Sequence, residues 1–222
     1  GDASGPGAGV ALAKNCTAVV TQPLRSLANY HRDLYIFHTE FLNDATHTYA
    51  SNPAGWLVMN RPVAVDAQFD IQPGTDGCQA AEGETCVRQV LLLGNPALWW
   101  GGCVALIASL VIWVGRRDWR FGVPIVGVAA TWLPWLRYDD RTIFLFYAVA
   151  ILPFVVLALT LCLGALLGPE LRSSPRRTWG AIVGGVFVAA VVLCFGWFWP
   201  IWTDQLITYS EWLSRMWLKD WI

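Results

Sequence analysis

Charge is scarce in this chain of 222 residues. Asp, Glu, Lys and Arg make up 14% of it, against 55% apolar residues and 14 Trp. A soluble domain carries roughly a quarter charged residues, so this balance excludes one. Fifteen basic side chains stand against 16 acidic ones. Without a surplus of Lys and Arg there is no counterion release to drive nucleic-acid binding. Low charge and high hydrophobicity also exclude a disordered chain. Met is rare, with two in all, and Gly occupies position 1, so the sequence reads as a piece of something longer. No signal peptide is expected within this stretch, because residues 1 to 10 hold Gly and Pro where a basic start and an apolar core would be.

The charges present are unevenly spread. Residues 1 to 95 carry 5 basic and 9 acidic side chains and all three His, while residues 96 to 222 carry 10 basic and 7 acidic. Four runs in the second part reach the roughly 17 to 25 apolar residues that cross a hydrocarbon core of about 30 Å. They are Pro96 to Val114, Phe121 to Leu136, Ile143 to Leu167 and Trp179 to Trp202. The second is short and holds Pro124 and Pro134, so it needs a kink or help from neighbours. None of the four contains Asp, Glu, Lys, Arg or His, which argues against a transporter, where ionisable groups sit mid-span. Gly180, Gly184, Gly185 and Ala189 form a small-residue stripe for helix contact.

Arg116, Arg117 and Arg120 follow the first span, and Arg172, Arg176 and Arg177 follow the third. By the positive-inside rule these loops face the cytoplasm. The N-terminal segment, the loop 137 to 142 and the C-terminus then lie outside. The expected organisation is an all-α polytopic membrane protein with an extracytoplasmic lobe over residues 1–95, a four-helix transmembrane domain over 96–202 and a tail over 203–222. Leu206, Trp212, Leu213, Trp217 and Trp221 give that tail helical spacing, which fits an amphipathic helix in the outer interface. A helix packed on protein fits the same spacing.

Within the polar part, Pro23 to Phe41 reads as a surface helix with Pro in its first turn and Leu24, Leu27, His31, Leu34, His38 and Phe41 on one stripe. His31 and His38 are seven apart, and no Cys or carboxylate completes a ligand set, so no metal is expected there. Residues 62 to 89, rich in Pro, Gly, Asp and Gln, read as an irregular lobe. Cys78 and Cys86 bracket a short loop in it and are expected to close a disulfide in an oxidising compartment; two free thiols are the alternative. Cys103, Cys162 and Cys194 fall in spans as small core residues, and Cys16 has no evident partner. Asn15-Cys16-Thr17 matches the glycosylation sequon, a weak three-residue signal.

Several separated motifs then agree in order. They are Tyr30-His31, the run His47-Thr48-Tyr49-Ala50-Ser51-Asn52-Pro53, Trp56, Arg61-Pro62, Leu93-Gly94-Asn95-Pro96, Trp99-Trp100 and Arg141-Thr142-Ile143-Phe144. Together they resemble the C-terminal half of the protein O-mannosyltransferases, polyprenyl-phosphate-mannose-dependent enzymes of the type C glycosyltransferase superfamily. The resemblance spans residues 23 to 222. It implies an enzyme of about eleven spans that moves mannose from a lipid phosphate to Ser or Thr of secreted proteins on its outer face. For this chain it implies the plasma membrane, the bacterial branch that lacks a β-trefoil insertion, and polyprenyl-phosphate-mannose as donor, with no prosthetic group. The family's catalytic acidic pair belongs to the N-terminal half. That half is the expected partner, and this chain alone is expected to be inactive.

Transfer from a phosphate leaving group needs a base for the acceptor hydroxyl and cations for the charge growing on phosphate. Arg141 and Arg137 are the candidate lipid-phosphate ligands, because a guanidinium grips two oxygens at once. His47 and Tyr49 are implied near the acceptor or the lipid, with a loop clamp as the other role open to them. Asp139-Asp140 reads as a helix cap with salt bridges rather than a cation site. A scaffold subunit that presents an outer lobe is the alternative to an enzyme half.

Overall fold

The computed structural model describes residues 6–42, 46–138, 141–168 and 174–222, with side chains from Thr21 onward. Asp139, Asp140 and Arg172, and the side chains of the Asn15-Cys16-Thr17 sequon, lie outside the described residues. The chain divides into two compact units, Gly1–Thr46 and His47–Ile222.

The first unit is one long helix, α1 (Pro6–Ile36), running into a π turn at Phe37–Phe41. Pro23 therefore lies inside a helix and does not start one as expected. Upstream of it Ala8, Ala11, Leu12, Ala13, Lys14 and Ala18 are helix formers that carry the helix back to Pro6. The loss at Pro23 is its own missing donor. His31 has Nδ1 2.8 Å from the Leu27 carbonyl oxygen, and His38 stands edge-on to Phe37.

The second unit is mostly helical, yet it is not all-α. The stretch expected to be irregular forms a hairpin of β1 (Val63–Ile71) and β2 (Cys86–Leu92), antiparallel with Val63 opposite Leu92 and Ile71 opposite Cys86. Two bulges let the strands keep pairing while Asp66 and Asp70 stay exposed. Cys78 and Cys86 are joined as a disulfide with Cα atoms 5.8 Å apart, at the head of β2. A two-residue strand, β3 (Ile207–Thr208), pairs with the other edge of β2 and completes a three-stranded sheet.

Helices α2 (Pro96–Arg116), α3 (Trp119–Trp132), α4 (Leu152–Leu167) and α5 (Pro175–Trp202) follow. Their starts are local chemistry: Asn95, Asp118 and Ser174 cap α2, α3 and α5, and Pro96 and Pro175 stand in first turns. A 3₁₀ segment, Leu145–Ile151, leads directly into α4. Among the described residues three helices are long and apolar enough to cross a membrane: Pro96–Arg116, Leu145–Leu167 and Pro175–Trp202. α3 has only 14 residues and ends in the 3₁₀ turn Leu133–Arg137. Close packing is built on glycine. A Cβ at Gly102 would fall 2.0 Å from Val155 of α4, and one at Gly127 would fall 2.1 Å from the Phe154 ring, so these pairs meet at backbone distance.

The tail is not one amphipathic helix. After β3 comes α6 (Tyr209–Arg215), seven residues started by a capping box of Thr208 and Glu211, then a 3₁₀ turn at Lys219–Trp221. Trp212 and Trp221 turn into the protein, each 3% exposed, and leave Leu213 and Trp217 outside. Both buried indoles find acceptors, as buried Trp usually does: Trp212 donates to Gln89 Oε1 at 2.7 Å and Trp221 to the Met59 carbonyl at 2.9 Å. Further out, Arg88 pairs with Asp204 at 2.6 Å. The Ser210 hydroxyl and N–H donate to Glu84 and hold its carboxyl below the usual range. One core thus joins lobe, helices and tail, from Trp56, Val87 and Leu91 through Trp99, Ile143 and Val155 to Phe198, Trp212 and Trp221.

Candidate functional site

The motif His47 to Pro53 folds as a loop closed on itself and pinned to the segment after Arg141. Ala50 N–H donates to the His47 carbonyl at 3.0 Å, and Tyr49 N–H to His47 Nδ1 at 3.1 Å. Ser51 N–H then donates to the Ile143 carbonyl at 2.9 Å. Asn52 accepts from Ala54 N–H and starts a 3₁₀ helix, Pro53–Val58, with Pro53 in its first turn. The helix drives Trp56 wholly inside, where its indole N–H meets Ser51 Oγ at 2.9 Å.

Around that loop the aromatic side chains form a wall. His47 stands edge-on to Phe144 at 5.2 Å and beside Tyr49 at 5.8 Å. Phe144 stacks on Phe146, and Phe146 lies 4.7 Å from Tyr147. Tyr147 stacks face to face on Trp135 at 4.9 Å, with Trp56 behind both. Trp132 fixes this end of α3 to the loop by donating to the Pro53 carbonyl at 2.9 Å. The half-buried Arg141 guanidinium lies over the Trp135 ring, 5.6 Å from its centre, in range for cation–π attraction.

His47, Tyr49 and Arg141, far apart in sequence, therefore meet in one cluster. Arg137 is exposed at the end of the 3₁₀ turn, and among the described residues no ring or hydrogen-bond contact ties it to that cluster. None of the described residues in the cluster is a carboxylate. Trp135 and Tyr147, which floor the cluster, are invisible as a pair in the sequence; the only available signal is two aromatics flanking the Arg141 loop.

A cleft of about 600 Å³ adjoins the cluster. Its walls are apolar: Leu91 to Leu93, Leu98 and Trp99 on one side, the 3₁₀ segment and first turns of α4 on another, and Phe195 and Trp202 of α5. Leu145 and Phe146 belong to it, so the cleft begins where the aromatic wall ends. Asn95, its main polar neighbour, is occupied, capping Leu98 and donating to the Val191 carbonyl at 2.9 Å. The site can thus offer a cation over an aromatic floor, linked through Tyr147 and Phe146 to an apolar cleft. That pairing suits an amphiphile with an anionic head. No group of three or more His, Cys, Asp or Glu among the described residues could hold a metal.

Comparison with known proteins bears on this geometry. A family model described as the C-terminal four-TMM region of protein-O-mannosyltransferase matches residues 23–221. A polyprenol-phosphate-mannose–protein mannosyltransferase of Mycobacterium tuberculosis is 36% identical over 217 residues, covering 96% of this chain and 40% of that protein. One from Corynebacterium glutamicum is 32% identical, covering 87% of this chain and 36% of that protein. Among solved structures, the Saccharomyces cerevisiae protein O-mannosyltransferase Pmt1-Pmt2 complex bound to the sugar donor has a chain that superposes with a TM-score of 0.65 at 21% identity, over 88% of this chain and 26% of that one. The chain spans about two fifths of the length of its curated mycobacterial relative.

Proposed function

The chain belongs to the protein O-mannosyltransferase family, as its C-terminal membrane region, and we propose that it forms the donor-gripping half of an enzyme that moves mannose from a polyprenyl phosphate to Ser and Thr hydroxyls of secreted proteins. The observation that carries this reading is the run of rings that joins the two features: Arg141 lies over Trp135, Trp135 stacks on Tyr147, and Tyr147 touches Phe146, which lines the apolar cleft. A polyprenyl phosphate has the matching shape, an anionic head on a long apolar tail.

In the reaction the acceptor oxygen bonds to the mannose C1 as the C1–O bond to the lipid phosphate breaks. The hydroxyl proton goes to a base, and negative charge grows on the departing phosphate. Arg141 neutralises that charge, with Arg137 as a second cation at the same surface. His47 and Tyr49 face the acceptor or the phosphate. The base comes from the region that precedes this one in the relatives.

The membrane arrangement follows the same reading. A 14-residue helix is about 21 Å long, and the five-residue 3₁₀ turn after α3 adds about 10 Å. Together they reach the roughly 30 Å needed for a fourth crossing. The lobe, the Arg141 loop and the tail lie on the outer face of the plasma membrane, with Arg116 to Arg120 and Arg176 to Arg177 inside.

Transfer of labelled mannose from polyprenyl phosphate to a Thr-containing peptide tests the function in membranes that hold this chain alone or with the N-terminal region. Transfer is expected only with both. Activity of the chain alone would put the base in this half, and none with both would remove the reading.

A further inference from the structure

The turn that leads from the site loop into β1 has an unusual backbone. Met59 and Arg61 both lie in the left-handed region, at φ of 59° and 57°, a conformation that non-glycine residues rarely adopt and that gathers at functional sites. Between them Asn60 buries its Oδ1 without a hydrogen-bond partner. Met59 N–H to the Trp56 carbonyl, Asn60 N–H to the Gly55 carbonyl and the Trp221 indole on the Met59 carbonyl hold the turn from within and below, and Arg61 extends it outward. Arg61 Nε donates to the Thr48 carbonyl at 2.9 Å, and Arg61 Nη1 to the Ile222 carbonyl at 3.3 Å. One guanidinium thus ties together the His47 to Ser51 loop, the entry to β1 and the C-terminal turn. Thr48 stands between His47 and Tyr49, and its carbonyl shares a peptide plane with the Tyr49 N–H, which donates to His47 Nδ1 at 3.1 Å, so fixing that one plane orients both residues.

We propose that Arg61 is a positioning residue: it clamps Thr48 and thereby sets His47 and Tyr49 against the Arg141 segment. The proposal rests on reading this cluster as the mannosyl-transfer site, and its test separates the two. The loop has a second anchor, Ser51 N–H to the Ile143 carbonyl, so loss of Arg61 frees the His47 to Tyr49 end while Ser51 stays in place.

The experiment uses the full enzyme, including the N-terminal region, with Arg61→Ala, Arg61→Lys and Arg61→Gln. The first readout needs no activity: the maleimide labelling rate of a cysteine introduced by Thr48→Cys, corrected for the native thiols. Losing a charge-assisted hydrogen bond should open the loop end and raise labelling about tenfold in Arg61→Ala, with Arg61→Lys closer to the parent. Equal rates in all variants would overturn the clamp. The second readout is a double-mutant cycle on mannose transfer. Arg61→Ala should cost about tenfold in kcat/KM in the parent and nothing further once His47→Ala and Tyr49→Phe are present, because it acts through them. A full multiplicative loss would show that Arg61 acts elsewhere. If Arg61→Ala does not fold, Arg61→Gln carries both readouts. An enzyme inactive in every form would remove the functional reading, and the labelling rates would still decide the clamp.

Discussion

Arg141→Ala in the enzyme completed by its N-terminal half should lose mannose transfer by about thirty- to a thousandfold. That loss corresponds to about 2 to 4 kcal/mol for a charged contact made more strongly in the transition state than in the ground state. Arg141→Lys should be impaired less: an ammonium keeps the charge but not the two-pronged grip, and it stacks less well on Trp135. Kinetics in membranes with equal protein levels measure both. The loss should fall on kcat more than on the donor KM, because the charge being stabilised appears as the phosphate leaves. Near-parental rates for Arg141→Ala would take Arg141 out of the site. Arg137, exposed and apart from the ring cluster, should matter less than Arg141.

The second large effect is on the fold. Trp221 is buried against Trp100, Phe198 and Trp217, and it donates its N–H to the Met59 carbonyl. Its removal leaves both a cavity and an unpaired carbonyl in the left-handed turn. Trp221→Ala should cost about 3 to 5 kcal/mol, a fall in Tm of about 6 to 20 °C for a chain of this size. Trp217→Ala, at 45% exposure, should cost far less. Thermal unfolding of the purified protein in detergent makes the comparison. Equal, small shifts for the two variants would mean that the tail is not part of the core.

Hydropathy made the long helices legible, and their start signals made the ends legible too. Asn95-Pro96 and Ser174-Pro175 open α2 and α5 within a few residues of where the apolar runs begin. The hairpin was harder to read. Val63, Val65, Ala67, Phe69 and Ile71 alternate with more polar neighbours, a strand signal, but Gly, Asp and Pro after Ile71 carry the opposite message. Two bulges further break the burial pattern, so the middle of β1 is exposed throughout. The tail misled for another reason: its Trp spacing is helical, yet Gln89 and the Met59 carbonyl draw Trp212 and Trp221 inward from separate short elements. No local pattern encodes acceptors more than a hundred residues away.

The candidate site divides in the same way. The sequence offered His47 and Tyr49 as candidates through the resemblance and Arg141 through its loop position and phosphate chemistry. Two contacts draw the loop to the Arg141 segment, Ser51 N–H to the Ile143 carbonyl across 92 positions of sequence and the His47 ring edge-on to Phe144. Trp135 beneath Arg141 and Arg61 behind Thr48 are tertiary facts, which a reading of neighbours along the chain does not reach.

The central claim, that this half of the enzyme grips the donor with Arg141 at the head and the apolar cleft along the tail, is tested most directly by photolabelling. A polyprenyl-phosphate-mannose analogue with a diazirine on its first isoprene units is irradiated with the full enzyme in membranes, and the labelled peptides are mapped. The account predicts label on the segment from Leu145 to Val156 and on the facing residues Trp99 and Phe195, competed away by unlabelled polyprenyl phosphate and not by a bilayer phospholipid. Label confined to other helices, with this cleft unmarked, would contradict it.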